Sequence, residues 1–203
     1  MSEINYSIFI KSYWNYYLEL EEQFISTKKF VEFDDSNFYT YSVEYLKLLQ
    51  AVCSEIDVVA KILAEECDAS FRKLKNINIQ KWGYYIKKEY SNIENLNVIF
   101  NIDYKITPWH NWSYIKYKDG RGTTRFKLDK EKKTPEWWTA YNKVKHERTS
   151  HYKHGKLNYT RANQKNLINA FAALYILENL LMDRLNKENS KYKARESNLF
   201  KFD

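Results

Sequence analysis

The stretch that decides the fold is residues 161–187, RANQKNLINAFAALYILENLLMDRLNK. Leu167, Ala170, Phe171, Leu174, Leu177 and Leu181 recur at three- and four-residue spacing, which gathers them on one face of an α-helix. Neither glycine nor proline interrupts the run, so a helix is predicted over about 161–187. Immediately upstream, Thr134-Pro135-Glu136 predicts another helix start: a threonine N-cap, proline at the first helical position and an acid suited to the dipole. That helix runs through Trp137, Trp138, Tyr141 and Val144 to about Arg148. The polar stretch Thr149 to Thr160, with Gly155, is then a loop between the two.

Further toward the N-terminus the same spacing returns. Ile4, Ile8, Tyr13, Tyr17, Leu20 and Phe24 predict a first helix over 3–31 with one apolar face. The polar break Phe33-Asp34-Asp35-Ser36-Asn37 separates it from a second helix over about 38–73. That helix is carried by Tyr41, Tyr45, Leu48, Leu49, Val52, Ile56, Val59, Ile62 and Leu63, and its length suggests a kink near Asp68. Trp82, Tyr85, Ile86 and Tyr90 mark a weaker amphipathic segment over 78–95. The pattern changes between Asn97 and Lys127, where Val98-Ile99-Phe100 and Tyr114-Ile115 read as β or irregular. Asp119-Gly120-Arg121-Gly122 reads as a hairpin turn within it. No internal repeat is visible.

Composition removes several classes. The 203 residues include only four Gly and two Pro, too few for the turns of an all-β sandwich or a glycine-rich phosphate loop. Hydrophobic residues at 44% and charged residues at 29% are globular proportions. No run approaches the roughly 18 apolar residues of a spanning helix, and Met1 to Lys11 lacks the layout of a signal peptide, so a soluble cytoplasmic protein is expected. Cys53 and Cys67, on one predicted helix, stand about 21 Å apart by helical rise and cannot pair with each other.

Charge is unevenly spread. Residues 1–103 hold 11 Lys/Arg and 16 Asp/Glu, residues 104–165 hold 16 and 5, and residues 166–203 hold 6 and 5. One third of the chain thus carries all of the positive excess, interleaved with Tyr and Trp. That combination suits phosphate neutralisation with stacking on exposed bases; ordinary solvated lysines are the alternative.

Three of the four histidines, His146, His151 and His154, lie within nine residues of that basic third; the fourth is His110. Histidine takes and gives protons near neutral pH, and arginine grips phosphate oxygens with a fixed fork. Asn142, His146 and Thr149 share a helical face, with Arg148 at the helix end and His154 in the loop beyond. Such a cluster can deprotonate a ribose 2′-hydroxyl, stabilise the charged phosphorane and protonate the leaving oxygen without a metal. Each member also has a plainer reading. His146 can complement the helix dipole, His151 and His154 can be solvated loop residues, and the histidine spacing could ligate zinc were more acids than Glu147 nearby.

At these residues the chain resembles the HEPN superfamily, α-helical domains that include metal-independent ribonucleases of bacterial toxin and phage-defence systems. The family hallmark is Arg, four to six arbitrary residues, then His, just ahead of a late helix; Arg148, five residues and His154 match it. The residue after the arginine is often Asn, Asp or His in the family and is Thr149 here. The strings 137–148 and 166–174 are similar to HEPN-like bacterial and phage-encoded chains, nearest among named groups to the abortive-infection proteins of low-GC bacteria.

The resemblance implies an all-α fold: one HEPN-like domain, 1–203, of long antiparallel helices, with a short β-hairpin-like insertion around 98–130. A polar, frayed tail is expected over about 188–203. It also implies homodimerisation and RNA cleavage that leaves a 2′,3′-cyclic phosphate, with no cofactor or metal. Arg148 would stabilise the phosphate and His154 or His146 would act as acid or base. Asn142, Lys145 and His151 would help position substrate. Glu55, one turn from Ala51 and Val59, would be an orienting acid whose partner is a histidine or arginine of the late helix. A phage-encoded activator or a cognate antitoxin would hold the activity in check. The rival expectation is a non-catalytic module of the same fold that binds RNA or protein.

Overall fold

The computed structural model describes residues 4–186 and 194–203. It is mostly helical, with strands between Val98 and Leu128 where the β-like insertion was expected, and its two small antiparallel sheets make the all-α expectation hold only in part. Helix α1 comprises three consecutive segments: Tyr6–Phe9, a π-helical turn Ile10–Trp14, and Asn15–Ser26. The π-turn inserts an extra residue into the helical repeat and rotates the buried face. Phe9 and Trp14 are therefore fully covered while Ile8 is exposed and Tyr13 only half-buried, against the spacing expected from a regular helix. Beyond the turn Tyr17, Leu20 and Phe24 are buried as expected.

Helix α2 is Val43–Cys67, capped by the Ser42 hydroxyl, which accepts from the Tyr45 amide at 3.0 Å. It stops at Asp68, the position where the sequence suggested a break, because the Asp68 carboxylate caps a following short turn through Ser70. Residues 38–41 lie outside the helix and run alongside 163–165 instead: the Gln164 amide donates to Thr40 O at 2.9 Å and the Lys165 amide to Phe38 O at 3.0 Å. Helix α3, Ile79–Glu89, buries Trp82, Gly83, Tyr85 and Ile86. A Cβ on Gly83 would stand 2.7 Å from the Trp112 ring, so this close approach requires glycine.

Strands β1, Val98–Phe100, and β2, Tyr104–Ile106, pair antiparallel, and β3, Tyr114–Lys118, pairs with β4, Thr124–Leu128. The hairpin turn falls at the predicted place. The Asp119 carboxylate accepts from the Arg121 and Thr123 amides at 3.0 Å, and Gly122 takes φ +73°. Helix α4, Glu136–His146, begins one residue later than expected, with Pro135 at the cap. Helix α5, Gln164–Leu185, is buried on nearly every side, as a helix apolar all round must be.

The C-terminal residues depart most from expectation. Residues 188–193 lie outside the described residues, but 194–203 are not frayed. Strand β5, Phe200–Phe202, adds to β1, giving the order β2-β1-β5, and the Phe200 and Phe202 rings pack at a tilt against Tyr175 of α5. Polar side chains conceal how this segment is pinned. Buried Glu21 accepts from Tyr17 Oη and the Asn198 amide at 2.8 Å each and from the Ser197 hydroxyl, while Trp14 Nε1 donates to Arg195 O at 2.7 Å.

The two longest helices run parallel, which corrects the antiparallel expectation. Gln164 meets Tyr45 at one end and Arg184 meets the Glu66 carbonyl at the other. Helix α1 runs antiparallel to both, stacking Phe24 on Phe171 and turning its edge to Tyr45. The long crossover from α2 to α5 carries α3, both β1–β2 and β3–β4, and α4. Its own core is a wall of tryptophans: Trp109 lies 4.5 Å from Trp112 and 5.1 Å from Trp137, with Trp82 and Trp138 joined to the same cluster.

Candidate functional site: a basic loop between α4 and α5

The loop begins where α4 runs out. Trp137, Trp138, Tyr141 and Val144 face the core, so the intervening polar positions face water. Lys143, Lys145 and His146 occupy the last turn, where the helix dipole favours cations. Beyond Glu147 the chain makes a short two-stranded excursion and returns to α5. The Tyr159 amide donates to Arg148 O at 3.1 Å, Asn158 to Ser150 O at 2.9 Å and Tyr152 to Lys156 O at 2.9 Å, and His151 bridges Leu157. Arg148 therefore sits at the base of the excursion and His154 at its tip, where His154 has φ +59° and Gly155 φ +69°.

Asn158 is the fixture of this loop. It is buried, its Nδ2 donates to Glu147 O at 2.9 Å, and its Oδ1 accepts from Arg161 Nε at 3.2 Å. Arg161 also lies over the Tyr152 ring, 4.1 Å from its centroid. From sequence this is only a polar, threonine- and asparagine-bearing stretch; that Asn158 turns inward depends on the Glu147 carbonyl eleven residues earlier.

His146, Arg148, His151 and His154 are all exposed. Arg148 Nε reaches back toward Val144 O at 3.5 Å, and among the described residues no hydrogen bond joins it to any histidine. His146, two residues from Arg148, is its near neighbour in the chain. His154 is separated from Arg148 by the length of the excursion, on the order of 10 Å of backbone. Within one chain the structure thus leaves His154 at a distance from Arg148, while His146 shares only chain proximity with it. Asn142 spends its amide on Trp138 O at 3.0 Å, and Lys145 folds back onto Tyr141, donating to its hydroxyl at 3.2 Å.

Glu55 is not part of this loop. It is half-buried on α2, and its expected histidine or arginine partner from the late helix is replaced by a second acid, Glu178 of α5. Glu178 is completely buried, and neither of its oxygens accepts a hydrogen bond among the described residues. Burial first, and the nearby Glu55 second, hold its carboxyl well above the usual range. The Tyr13 hydroxyl is raised as well, by burial and then by these same two carboxylates.

His110 lines a separate cavity of about 260 Å³ with Glu136, Lys165 and Asn169. Among the described residues no three His, Cys, Asp or Glu side chains gather in a metal-binding group, and no helix is long and apolar enough to cross a membrane. Cys53 and Cys67 are both free thiols, and burial pushes the Cys67 thiol up to about 12. No protein-family model matches this chain, and no curated protein or solved structure matches it either.

Proposed function

We propose that this protein is a metal-independent endoribonuclease of the HEPN type, acting inside the cell in phage defence or as a toxin. The observation that carries the reading is the cluster itself: Arg148 and three exposed histidines at the end of α4 and in the loop beyond it, within a 24-residue span, 142–165, that holds seven Lys/Arg and a single acid. That acid, Glu147, is already paired with Lys143 at 2.8 Å. A polyanion meets no uncompensated repulsion from this span.

The chemistry balances on these groups alone. A histidine takes the proton of a ribose 2′-hydroxyl, the oxygen attacks the adjacent phosphorus, and Arg148 neutralises the charge that grows on the phosphorane. The bond to the 5′-oxygen breaks as a second histidine returns a proton to it, leaving a 2′,3′-cyclic phosphate and a 5′-hydroxyl. His146 is the neighbour of Arg148 within one chain; His154, at the tip of the excursion, would act on the Arg148 of a second copy in a homodimer. A chain with this activity needs a restraint, such as a cognate antitoxin or dependence on a phage-encoded activator.

The separation of His154 from Arg148 favours a second reading, a non-catalytic RNA-binding module of the same fold. Induction in a bacterial host, with and without phage, decides between them when wild type is compared with Arg148→Ala, His146→Ala and His154→Ala. Catalysis predicts new RNA ends bearing cyclic phosphate that persist with EDTA in a purified reaction. Arg148→Ala and at least one histidine variant should reduce them about 100-fold or more. Intact RNA in every arm, with phage protection unchanged by the substitutions, would leave the binding module.

A further inference from the structure

The fourth histidine belongs to a different recess. His110, between β2 and β3, shares a cavity of about 260 Å³ with Glu136 at the start of α4 and with Lys165 and Asn169 in the first two turns of α5. Pro108, Pro135 and Trp137 are buried and form its apolar wall. The volume is about nine times the share of one water molecule in the liquid, room for a planar ring system. Glu136 and Lys165 bring opposite charges to this one cavity, yet they form no ion pair with each other. Neither side chain has a hydrogen-bond or ion-pair partner among the described residues. Asn169 spends its amide N–H on Lys165 O at 2.9 Å, which leaves its side-chain oxygen as a further acceptor. Asn166, also in the lining, donates to Arg161 O at 2.9 Å and so ties the cavity to the end of the basic loop. Other charges nearby are engaged or stand outside the lining. Lys132 pairs with Glu94 at 2.8 Å, Arg161 lies over Tyr152, and the exposed Glu131 and Lys133 are of opposite sign.

We infer that this cavity receives a guanine base of single-stranded RNA, with Glu136 and Lys165 reading its Watson–Crick edge. The inference rests on the reading of the adjoining loop as an RNA site and adds a base preference to it. A bare phosphate would meet the unneutralised Glu136 carboxylate, so the occupant has to offer donors as well as an acceptor. Guanine alone among the four bases presents two adjacent donors, N1–H and the N2 amine, beside an acceptor, O6. The two carboxylate oxygens of Glu136 accept from that pair of donors, and the Lys165 ammonium donates to O6. Adenine and cytosine each bring one donor group, and uracil one donor between two acceptors, so each would leave part of the carboxylate unpaired at a cost. The apolar wall covers the ring, and the exposed His110 imidazole stands at the rim to stack on a base splayed out of its helix.

The test measures binding apart from cleavage, with fluorescein-labelled 2′-O-methyl RNA decamers of uridine that carry a single central G, a single central A or neither. Wild type should bind the G decamer roughly ten-fold or more tightly than the A decamer, the size expected for one two-pronged base contact. Glu136→Gln sets a donor against the donors of guanine and should abolish that ratio while leaving affinity for the all-uridine decamer unchanged. Lys165→Met removes the donor to O6 and should lower the same ratio. Glu131→Gln alters an exposed acid outside the cavity and should keep it. Thermal midpoints equal to wild type show that each variant is folded. Equal affinity of wild type for the G and A decamers overturns the guanine pocket while leaving the loop's proposed activity standing. A preference that survives Glu136→Gln, or a Glu136→Gln protein that binds all three decamers more weakly by the same factor, overturns the pocket as well. Failure of wild type to bind any decamer overturns both the pocket and the activity.

Discussion

The tryptophan wall and the basic loop that follows it differ more than their sequences suggest. Both belong to the stretch 104–165, both are rich in aromatic and cationic residues, and α4 joins them directly. Yet the wall is dry. Trp109 and Trp112 are fully buried, Trp137 is 2% exposed, and its indole N–H donates to Pro108 O at 2.9 Å in the interior. The Trp109 indole N–H has no hydrogen-bond partner among the described residues, and the ring instead presses on neighbouring rings. The loop beyond keeps His151, His154 and Arg148 at the surface. Composition alone cannot separate aromatic rings that build a core from those that serve a partner; helical phase does. In α4 the rings fall on the buried stripe and the cations between them. In the loop no such stripe exists, and the backbone is held by Asn158 and its own amides instead.

The largest effect should come from breaking the wall. Trp137→Ala removes a buried indole that touches Trp109 and Trp138 and leaves Pro108 O without its donor. We expect a loss of about 3–5 kcal/mol in urea unfolding, enough to populate unfolded chain in a marginal domain. Trp137→Phe keeps most of the packing and should cost clearly less. A loss below about 1 kcal/mol for the alanine variant would mean that the wall is not a structural core.

The helical part of the fold was legible because it follows from spacing. Leu167 to Leu181 predicted α5, the break at Asp68 was foreseen, and the Asp119-Gly120 turn lies where its residues demand. What escaped had non-local causes. The π-turn at Ile10–Trp14 rotates α1 without any residue that announces it. Strand β5 is only three residues, and its partner lies a hundred residues away. The parallel run of α2 and α5 depends on the whole crossover. In the site, the basic, histidine-bearing character of 142–165 could be read from composition. The approach of Tyr41 to Tyr159 could not, because nothing in residues 38–41 hints at pairing with 163–165.

A second contrast, between two buried acids, sharpens the first. Glu21 is satisfied by Tyr17, Ser197 and Asn198, whereas Glu178 has no donor among the described residues and lies within electrostatic reach of Glu55. With its folded carboxyl raised, Glu178 keeps its proton to a higher pH than the unfolded chain does. Its contribution therefore erodes stability as pH climbs from the ordinary carboxylate value of about 4.3 toward the folded value. Glu178→Leu should remove that slope and stabilise the protein at pH 8 by about 1–3 kcal/mol, with a smaller gain at pH 4.5. Urea midpoints at the two pH values check this; curves for wild type and variant that stay parallel would place the charge elsewhere. Glu21→Leu should do the opposite and destabilise at pH 8, because it orphans the Asn198 amide and frees the C-terminal strand.

The smallest effect belongs to an exposed ring, and its smallness is the point. Tyr39 is 73% exposed, so Tyr39→Ala should shift unfolding free energy by less than about 0.5 kcal/mol, against several for Trp137→Ala. An aromatic ring left in water at so little structural benefit contrasts with a chain that buries all six of its tryptophans to at least nine-tenths. If Tyr39→Ala instead cost more than about 1 kcal/mol, the ring would be packed in solution, and the division between buried wall and exposed rings would collapse. A negligible cost, set against the loss for Trp137→Ala, would separate the two aromatic populations: one holds the fold together, the other stands free of it in water.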